Sequence, residues 1–514
     1  MIAGLAQAHA EDHRGGTLRL LARSAAGTAD PQINYTGQFW QIFLMVYDGL
    51  VAMKKVPGAD GQTVVADLAE AVPDPGDGGR RYVFHLRAGL RFADGQPVSG
   101  ADVVASFRRM FQVLSPTAGS FYGAILGADA CLAAPLACTL PGVAADGATV
   151  TVTLTRPDPD FLLKLALPPA SIFPAATPPH DTGNAPPPGT GPYVIASYDP
   201  ATAMRLVRNP YFHAWNPDAQ PDGYPDAITY AFGLEDEAET TEVERGQADW
   251  LFDTPPADRL AELGTRYASQ VHLNPAFALW FLAMNVHQPP FDDIRVRRAV
   301  AMAVDRRAAV KLFGGPRLAV PSCQILPPGL PGYAPYCPPG NLSEARQLVA
   351  GTGTAGQTVT LITDDSAVMR AIGTYLLSVL GDLGYDARLR ALSGNVQFTY
   401  IQNSDNHVQI SLATWYADYP SPADILPVLF GCAAFHPGSD SSVNLTGYCD
   451  PALDAEMQAA GNPADWARID RAITDAAPVA VLFNPRYIDV TSIRLGHFIY
   501  HDQFHWLPSQ AWVR

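Results

Sequence analysis

The residues of this 514-residue chain best placed to do chemistry lie between Ser411 and Phe430, in SLATWYADYPSPADILPVLF. A strand-like start leads into Trp415, Tyr416, Ala417, Asp418 and Tyr419, then into a proline-rich loop. One acid among large aromatic side chains is an arrangement for contacting a ligand. The competing reading makes the rings core and the aspartate a cap of its own loop. His497, His501 and His505 stand four apart and on a helix would share a face able to hold a metal. The surrounding GHFIYHDQFHWLP is aromatic throughout and ends in proline, so extended or irregular structure and no metal site are expected. Gly351, Gly353 and Gly356 spell G-x-G-x-x-G, but a helical pattern precedes them and a strand pattern follows, the reverse of a dinucleotide-binding loop. No G-x-S-x-G, H-E-x-x-H or P-loop motif occurs, so no catalytic residue and no cofactor are assigned.

Six cysteines fall into three neighbouring pairs, Cys131 with Cys138, Cys323 with Cys337 and Cys432 with Cys449. Each pair closes a short loop in a proline- and glycine-rich stretch, which reads as three disulfides of an exported protein. Metal binding competes weakly, since no C-x-x-C is present and no histidine stands at ligand spacing beside two of these cysteines.

The elements that must carry these residues are legible in places. From Tyr82 to Leu114 the chain reads YVFHLRAGLRFADGQPVSGADVVASFRRMFQVL. Tyr82, Phe84 and Leu86 alternate with Val83, His85 and Arg87, predicting a strand with one buried face; Asp94-Gly95 supplies a turn. Ser99 and Asp102 form a capping-box-like start for a helix whose Val103, Phe107, Met110, Phe111 and Leu114 share a face. The pattern from Asp292 to Phe313 is helical, with Asp292 and Asp293 as caps and Arg295, Arg297 and Arg298 expected on a solvated or partner-facing surface. Further on, a helix from Ser343 stops at Gly351, Thr358–Thr363 reads as a strand, a helix follows to Leu383, and Tyr385–Leu392 reads as a strand. That order predicts a parallel pair with a right-handed crossover. The proline-rich run from Leu167 to Pro192 marks a boundary or crossover, and a second boundary is expected near Asn274-Pro275.

The length suggests two to four domains. Hydrophobic residues at 48% against 16% charged indicate a packed globular protein. A net charge of −16 repels phosphate backbones, so nucleic acid is not an expected partner. No stretch approaches the ~20 apolar residues of a membrane span. Residues 1–14 read as a leader or the remnant of an export signal, with Ala8-His9-Ala10 in small-x-small form but no basic region before it.

The Tyr82–Leu114 stretch resembles the signature of the family 5 extracellular solute-binding proteins, the peptide, opine, sugar and nickel receptors of ABC importers, which runs roughly F-x-L-R-x-G-x-x-F-x-D-G-x-P-x-x-A-x-D-V-x-x-S. Gly189-Thr190-Gly191-Pro192-Tyr193, Arg208-Asn209-Pro210 and VRRAVAMAVDR (296–306) are similar to further family motifs in the same order. PSCQILPPGLPGYAPYC and NLTGYCDPALD look like stretches of actinobacterial members, and the resemblance runs from about Gly15 to the end.

The resemblance implies an α/β, two-lobed periplasmic-binding-protein-like fold of type II, cluster C, with an extra inserted subdomain. Lobe I would comprise 15–46, 186–275 and 487–514, the insertion 47–185, and lobe II 276–486. In peptide-binding members a W-x-x-D-x-x-x-P segment lies in the cleft and its aspartate neutralises the ligand's α-ammonium; that position here is Asp418. A desolvated ammonium loses several kcal/mol unless a fixed anion meets it. Trp415, Tyr416, Ala417 and Tyr419, with Asn34 and Tyr35, complete the expected ligand-binding set. Relatives often carry an acid six residues before the tryptophan, where this chain has Gln409. No arginine or lysine lies between Asn403 and Thr414 to meet a ligand carboxylate, although Arg370, Arg388 or Arg390 could reach one. The implied function is capture of an oligopeptide or similar amine-bearing molecule by lobes that close around it, and delivery to an ABC permease by an exported, monomeric protein. The alternative is an enzyme or biosynthetic accessory protein acting on a secondary metabolite with the same fold.

Overall fold

The computed structural model describes residues 13–256 and 258–514; the expected leader lies outside these except for its last two positions. Two compact units emerge, Met1–His272 with Ile488–Arg514, and Leu273–Tyr487. No helix among the described residues is long and apolar enough to cross a membrane.

In chain order the first unit contains β1 (Thr17–Ala22), α1 (Gly37–Val46), β2 (Val51–Met53), β3 (Val64–Ala66), β4 (Arg81–His85), α2 (Gly100–Gln112), β5 (Val143–Asp146), β6 (Thr149–Thr153), β7 (Tyr193–Asp199), β8 (Ala203–Arg208), β9 (Ala227–Phe232) and β10 (Trp250–Leu251), among shorter helical turns. Its main sheet has the order β10-β1-β9-β8-β7, with β1 parallel to both β9 and β10. Strands β2 and β3 pair separately, as do β4, β6 and β5.

The strand, turn and capped helix expected after Arg81 are present. Tyr82 and Phe84 turn inward from β4 while Arg81 and His85 face solvent. At the turn the Gln96 amide donates to Asp94 Oδ1 at 3.0 Å, and Gly95 takes φ +86°, where a side chain would be strained. Asp102 Oδ2 accepts from the Ser99 amide at 2.8 Å and from its hydroxyl at 2.6 Å. Its other oxygen accepts from the Ala175 amide at 2.7 Å, tying the start of α2 to the proline-rich crossover. Leu114 departs from the expected apolar face: it lies beyond the last turn with φ +55° and is 65% exposed.

The second unit contains β12 (Ala278–Met284), α3 (Ile294–Ala303), α4 (Arg306–Phe313), β13 (Ala319–Pro321), α5 (Leu342–Ala350), β14 (Thr358–Asp364), α6 (Ala367–Asp382), β15 (Asp386–Leu392), α7 (Gly394–Gln402), β16 (Ile410–Tyr416) and α8 (Pro463–Ala476); both of its boundaries fall within strands, β11 (Val271–Pro275) and β17 (Val479–Val490). The sheet order is β11-β17-β12-β16-β14-β15, with β13 on β17. As expected, β14 and β15 are parallel and joined through α6; β16 is also parallel to β14. Gly351, Gly353 and Gly356 sit between α5 and β14.

Two expectations are corrected here. The helical pattern from Asp292 to Phe313 is two helices, because Val304 is extended and Asp305 caps α4 by accepting from the Arg307 amide at 2.9 Å. Arg297 is buried, not solvated. Its guanidinium donates to the Phe291 carbonyl at 2.8 Å and to the Ala476 carbonyl at 3.2 Å, the latter at the carboxyl end of α8, where a cation is favoured. The three disulfides form in the neighbouring pairs, Cys131–Cys138, Cys323–Cys337 and Cys432–Cys449.

Candidate ligand-binding site

Strand β16 is built from Ile410, Ser411, Leu412 and Ala413, all buried, and its length past β14 is what exposes the candidate residues. Ile410 and Ser411 pair with Leu361 and Ile362, so Asp364 and Leu392, which pair with each other at the ends of β14 and β15, lie level with about Ala413. Thr414, Trp415 and Tyr416 run on beyond that edge, paired with β12, where Leu279 pairs with Trp415 and Ala278 with Tyr416. In open α/β sheets ligands bind outside the carboxyl ends of parallel strands; here that edge carries the 415–419 segment.

Successive side chains on a strand point to opposite faces, so Trp415 and Tyr416 diverge. Trp415 packs with Ala413 and Ala417 against the cluster of Phe277, Leu279, Ile425 and Leu426. Tyr416 lies on the other face, 45% exposed, its ring 6.2 Å from that of Tyr487. Tyr419 is buried. Tyr416 is therefore the ring that this edge offers to solvent.

Asp418 is half-buried on a loop fixed by its own backbone. The Ala417 amide donates to the Phe277 carbonyl at 2.8 Å. The Asp418 amide donates to Asp424 Oδ2 at 2.6 Å, and the Asp424 amide donates to the Ser421 carbonyl at 3.1 Å. Asp424 is almost wholly buried and was not singled out from sequence, although Ser421-Pro422-Ala423-Asp424 has the S-x-x-D spacing of a helix cap. The cap holds the loop, and the loop presents Asp418.

Gln409 explains one departure from the family pattern. Its Oε1 accepts from the Thr360 amide at 2.9 Å and its Nε2 donates to the Pro289 carbonyl at 2.8 Å. It is a clamp at the amino end of β16; six residues of strand, ~20 Å, separate it from Trp415. Arg388 pairs with Asp386 at 2.7 Å, and Arg390 donates to the Tyr400 hydroxyl at 2.9 Å while lying over its ring. Arg370 is exposed in the first turn of α6.

The remaining candidates lie in the first unit. Asn34 is buried, and its amide donates to the carbonyls of Ala26 at 2.7 Å and Thr28 at 2.6 Å while its oxygen accepts from the Thr36 hydroxyl at 2.7 Å. Its polar atoms serve the 26–36 loop. Tyr35 beside it is 41% exposed and packs edge-on against Trp40 and Phe121.

The three histidines occupy separate environments. His501 and His505 face each other in a short hairpin, β18 (Tyr500–His501) with β19 (His505–Trp506). His501 is fully buried, with Nε2 3.2 Å from the Lys54 carbonyl and 3.1 Å from that of Gly61, while Nδ1 accepts from the amides of Gln503 and Phe504. His505 meets Asp489 at 2.8 Å, and His497 bonds the Gln510 carbonyl. Among the described residues no group of three or more potential ligands could hold a metal ion.

Comparison with known proteins points one way. The model of the bacterial extracellular solute-binding proteins, family 5 middle region, matches residues 63–436. A probable di/tripeptide-binding protein 5 of Pseudomonas aeruginosa (strain UCBPP-PA14) is 28% identical over 415 residues, covering 76% of this chain and 75% of that one. A probable deoxycholate-binding periplasmic protein, YgiS, of Escherichia coli (strain K12) is 31% identical over 329 residues, 60% of this chain and 57% of that one. Among solved structures, a clavulanic acid biosynthesis oligopeptide binding protein 2 superposes with a TM-score of 0.87 at 24% identity, covering 98% of this chain and 96% of that one. The shared fold is the two-lobed α/β type II periplasmic-binding-protein fold expected from the sequence.

Proposed function

Because this chain belongs to the family 5 bacterial extracellular solute-binding proteins, we propose that it captures an oligopeptide or similar amine-bearing small molecule outside the cytoplasm and hands it unchanged to an ABC permease. The family and its relatives are binding proteins, not enzymes. The observation that carries the reading is Asp418, an acid on a backbone-fixed loop at the carboxyl edge of β16, beside the exposed ring of Tyr416. A loop whose backbone is fixed before the ligand arrives brings its acid to an ammonium with less reordering, which favours affinity.

The division expected from sequence is part of the proposal: 15–46, 186–275 and 487–514 as one lobe, 47–185 as the insertion, 276–486 as the other lobe. In its support, β2 to β6 pair only among themselves, while the main sheet of the first unit uses strands outside that range. The protein is proposed to act as a monomer. The biosynthetic reading gains nothing from its namesake, since a likeness at 24% identity carries the fold alone.

The test is Asp418→Asn. It should weaken an amine-bearing peptide by about 2 to 5 kcal/mol by titration calorimetry, with the melting temperature unchanged. Equal affinity would remove Asp418 from the site.

A further inference from the structure

The second unit holds a cavity of about 200 Å3 whose lining includes no residue of the 409–424 segment. Its walls come from α3, the start of α4, the end of α8, the start of β17, the Cys323–Cys337 bridge and the two prolines that follow it. Met302, Pro338, Pro339 and Val479 make it mainly apolar. The segment that follows Cys337 lies directly on this wall: a Cβ added to Gly340 would come within 2.5 Å of Met302 Cγ.

The charged groups at the cavity are two arginines and one acid, Arg298, Arg306 and Asp475, a local excess of one positive charge in a chain that carries −16 overall. Arg306 donates its Nε to the carbonyls of Ser322 and Val481 and one hydrogen from each Nη to those of Val304 and Ala301. Burial lowers it only to about 10, so it is a cation at neutral pH. Asp475 is engaged by the Tyr336 hydroxyl at 2.5 Å. Arg298 is exposed, lines the cavity and commits its Nε to the Asp475 main-chain carbonyl at 2.8 Å.

An apolar cavity of roughly 150 Å3 is enough to hold benzene, so this volume suits one ring or short chain with a polar end. We infer that the cavity binds a small apolar carboxylate, an arylalkanoate or short fatty acid, with its apolar part on Met302 and its carboxylate at Arg298. It is a second site, for an anion, on the unit that carries Asp418.

The test uses the full chain with carbon-13 methionine methyls, titrated with 3-phenylpropionate and with its uncharged amide. The Met302 methyl signal, identified by its loss in Met302→Leu, should shift saturably with the acid, and roughly fivefold more weakly with the amide. Arg298→Gln should bring the acid to the amide's affinity, and Ala301→Leu, which fills the cavity, should abolish the shift. Asp418→Asn should leave both titrations unchanged. The inference is overturned by the absence of a saturable Met302 shift, by equal affinities for acid and amide, or by a shift that survives Ala301→Leu. Should Ala301→Leu fail to fold, the exposed Arg298→Gln decides.

Discussion

At the scale of single residues, Asp418 and His501 show how burial and hydrogen bonding turn ordinary side chains into a proposed anchor and a fixed strut. Asp418 was legible because an acid among aromatic residues after a strand is visible in one dimension. Asp424, which fixes its amide, was legible only as a spacing, because nothing in a sequence says which loop aspartate turns inward. The histidines mislead in another way: even spacing suggests one site, yet each ring is taken by a different partner, His501 by the carbonyls of Lys54 and Gly61, His505 by Asp489 and His497 by the Gln510 carbonyl.

His501 also makes a prediction. Burial pulls its imidazole from the usual 6.5 down to about 4. Between these values the unfolded chain binds a proton that the folded chain refuses, so this residue's contribution, up to about 3 kcal/mol, is lost as pH falls through that window. Asp470 acts in the opposite sense: burial lifts its carboxyl from 3.8 to about 6, so its contribution is lost as pH rises through the same region. The two offset in a global unfolding curve, and a site-specific signal is needed. The His501 ring resonances should stay at their neutral positions from pH 8 down to pH 5; titration near 6.5 would contradict the buried assignment.

At the scale of elements, local signals carried well where the chain satisfies them within a few residues. The Ser99–Asp102 start of α2 and the β14-α6-β15 crossover are examples, since caps and periodicity are nearest-neighbour properties. The helical pattern over 292–313 is present but divided in two, because Asp305 caps a second helix at that point. Leu114 failed for a related reason, its spacing fitting a helix that had already ended. Asp102 joins its own helix to Ala175, so Asp102→Ala should cost about 1 to 3 kcal/mol in urea unfolding; a loss confined to a few tenths would mean that the crossover contact contributes nothing. The Cys432–Cys449 bridge spans 17 residues, and replacing both cysteines with serine should cost about 3 kcal/mol by the same measurement.

At the scale of the whole molecule, the sequence pointed to an α/β fold of two lobes through short motifs in a fixed order, and the fold is shared with solved binding proteins. Composition alone could not have reached it, because the strands of each main sheet are drawn from distant stretches: β1 lies beside β9 and β10, and β12 beside β16 and β17. Which solute is bound is least legible of all, because one scaffold presents different side chains at the same edge. The acid at 418 and the lack of a nearby cation between Asn403 and Thr414 favour ligands with an amine over ligands that depend on a carboxylate. The measurement that tests this most directly is native mass spectrometry of the protein with di- to pentapeptides, each paired with its N-acetylated form. Complexes are expected with the free-amine peptides, much weaker ones with the acetylated forms, and every peptide should be released at its original mass. Equal binding of the acetylated forms, or a released species of new mass, would contradict it.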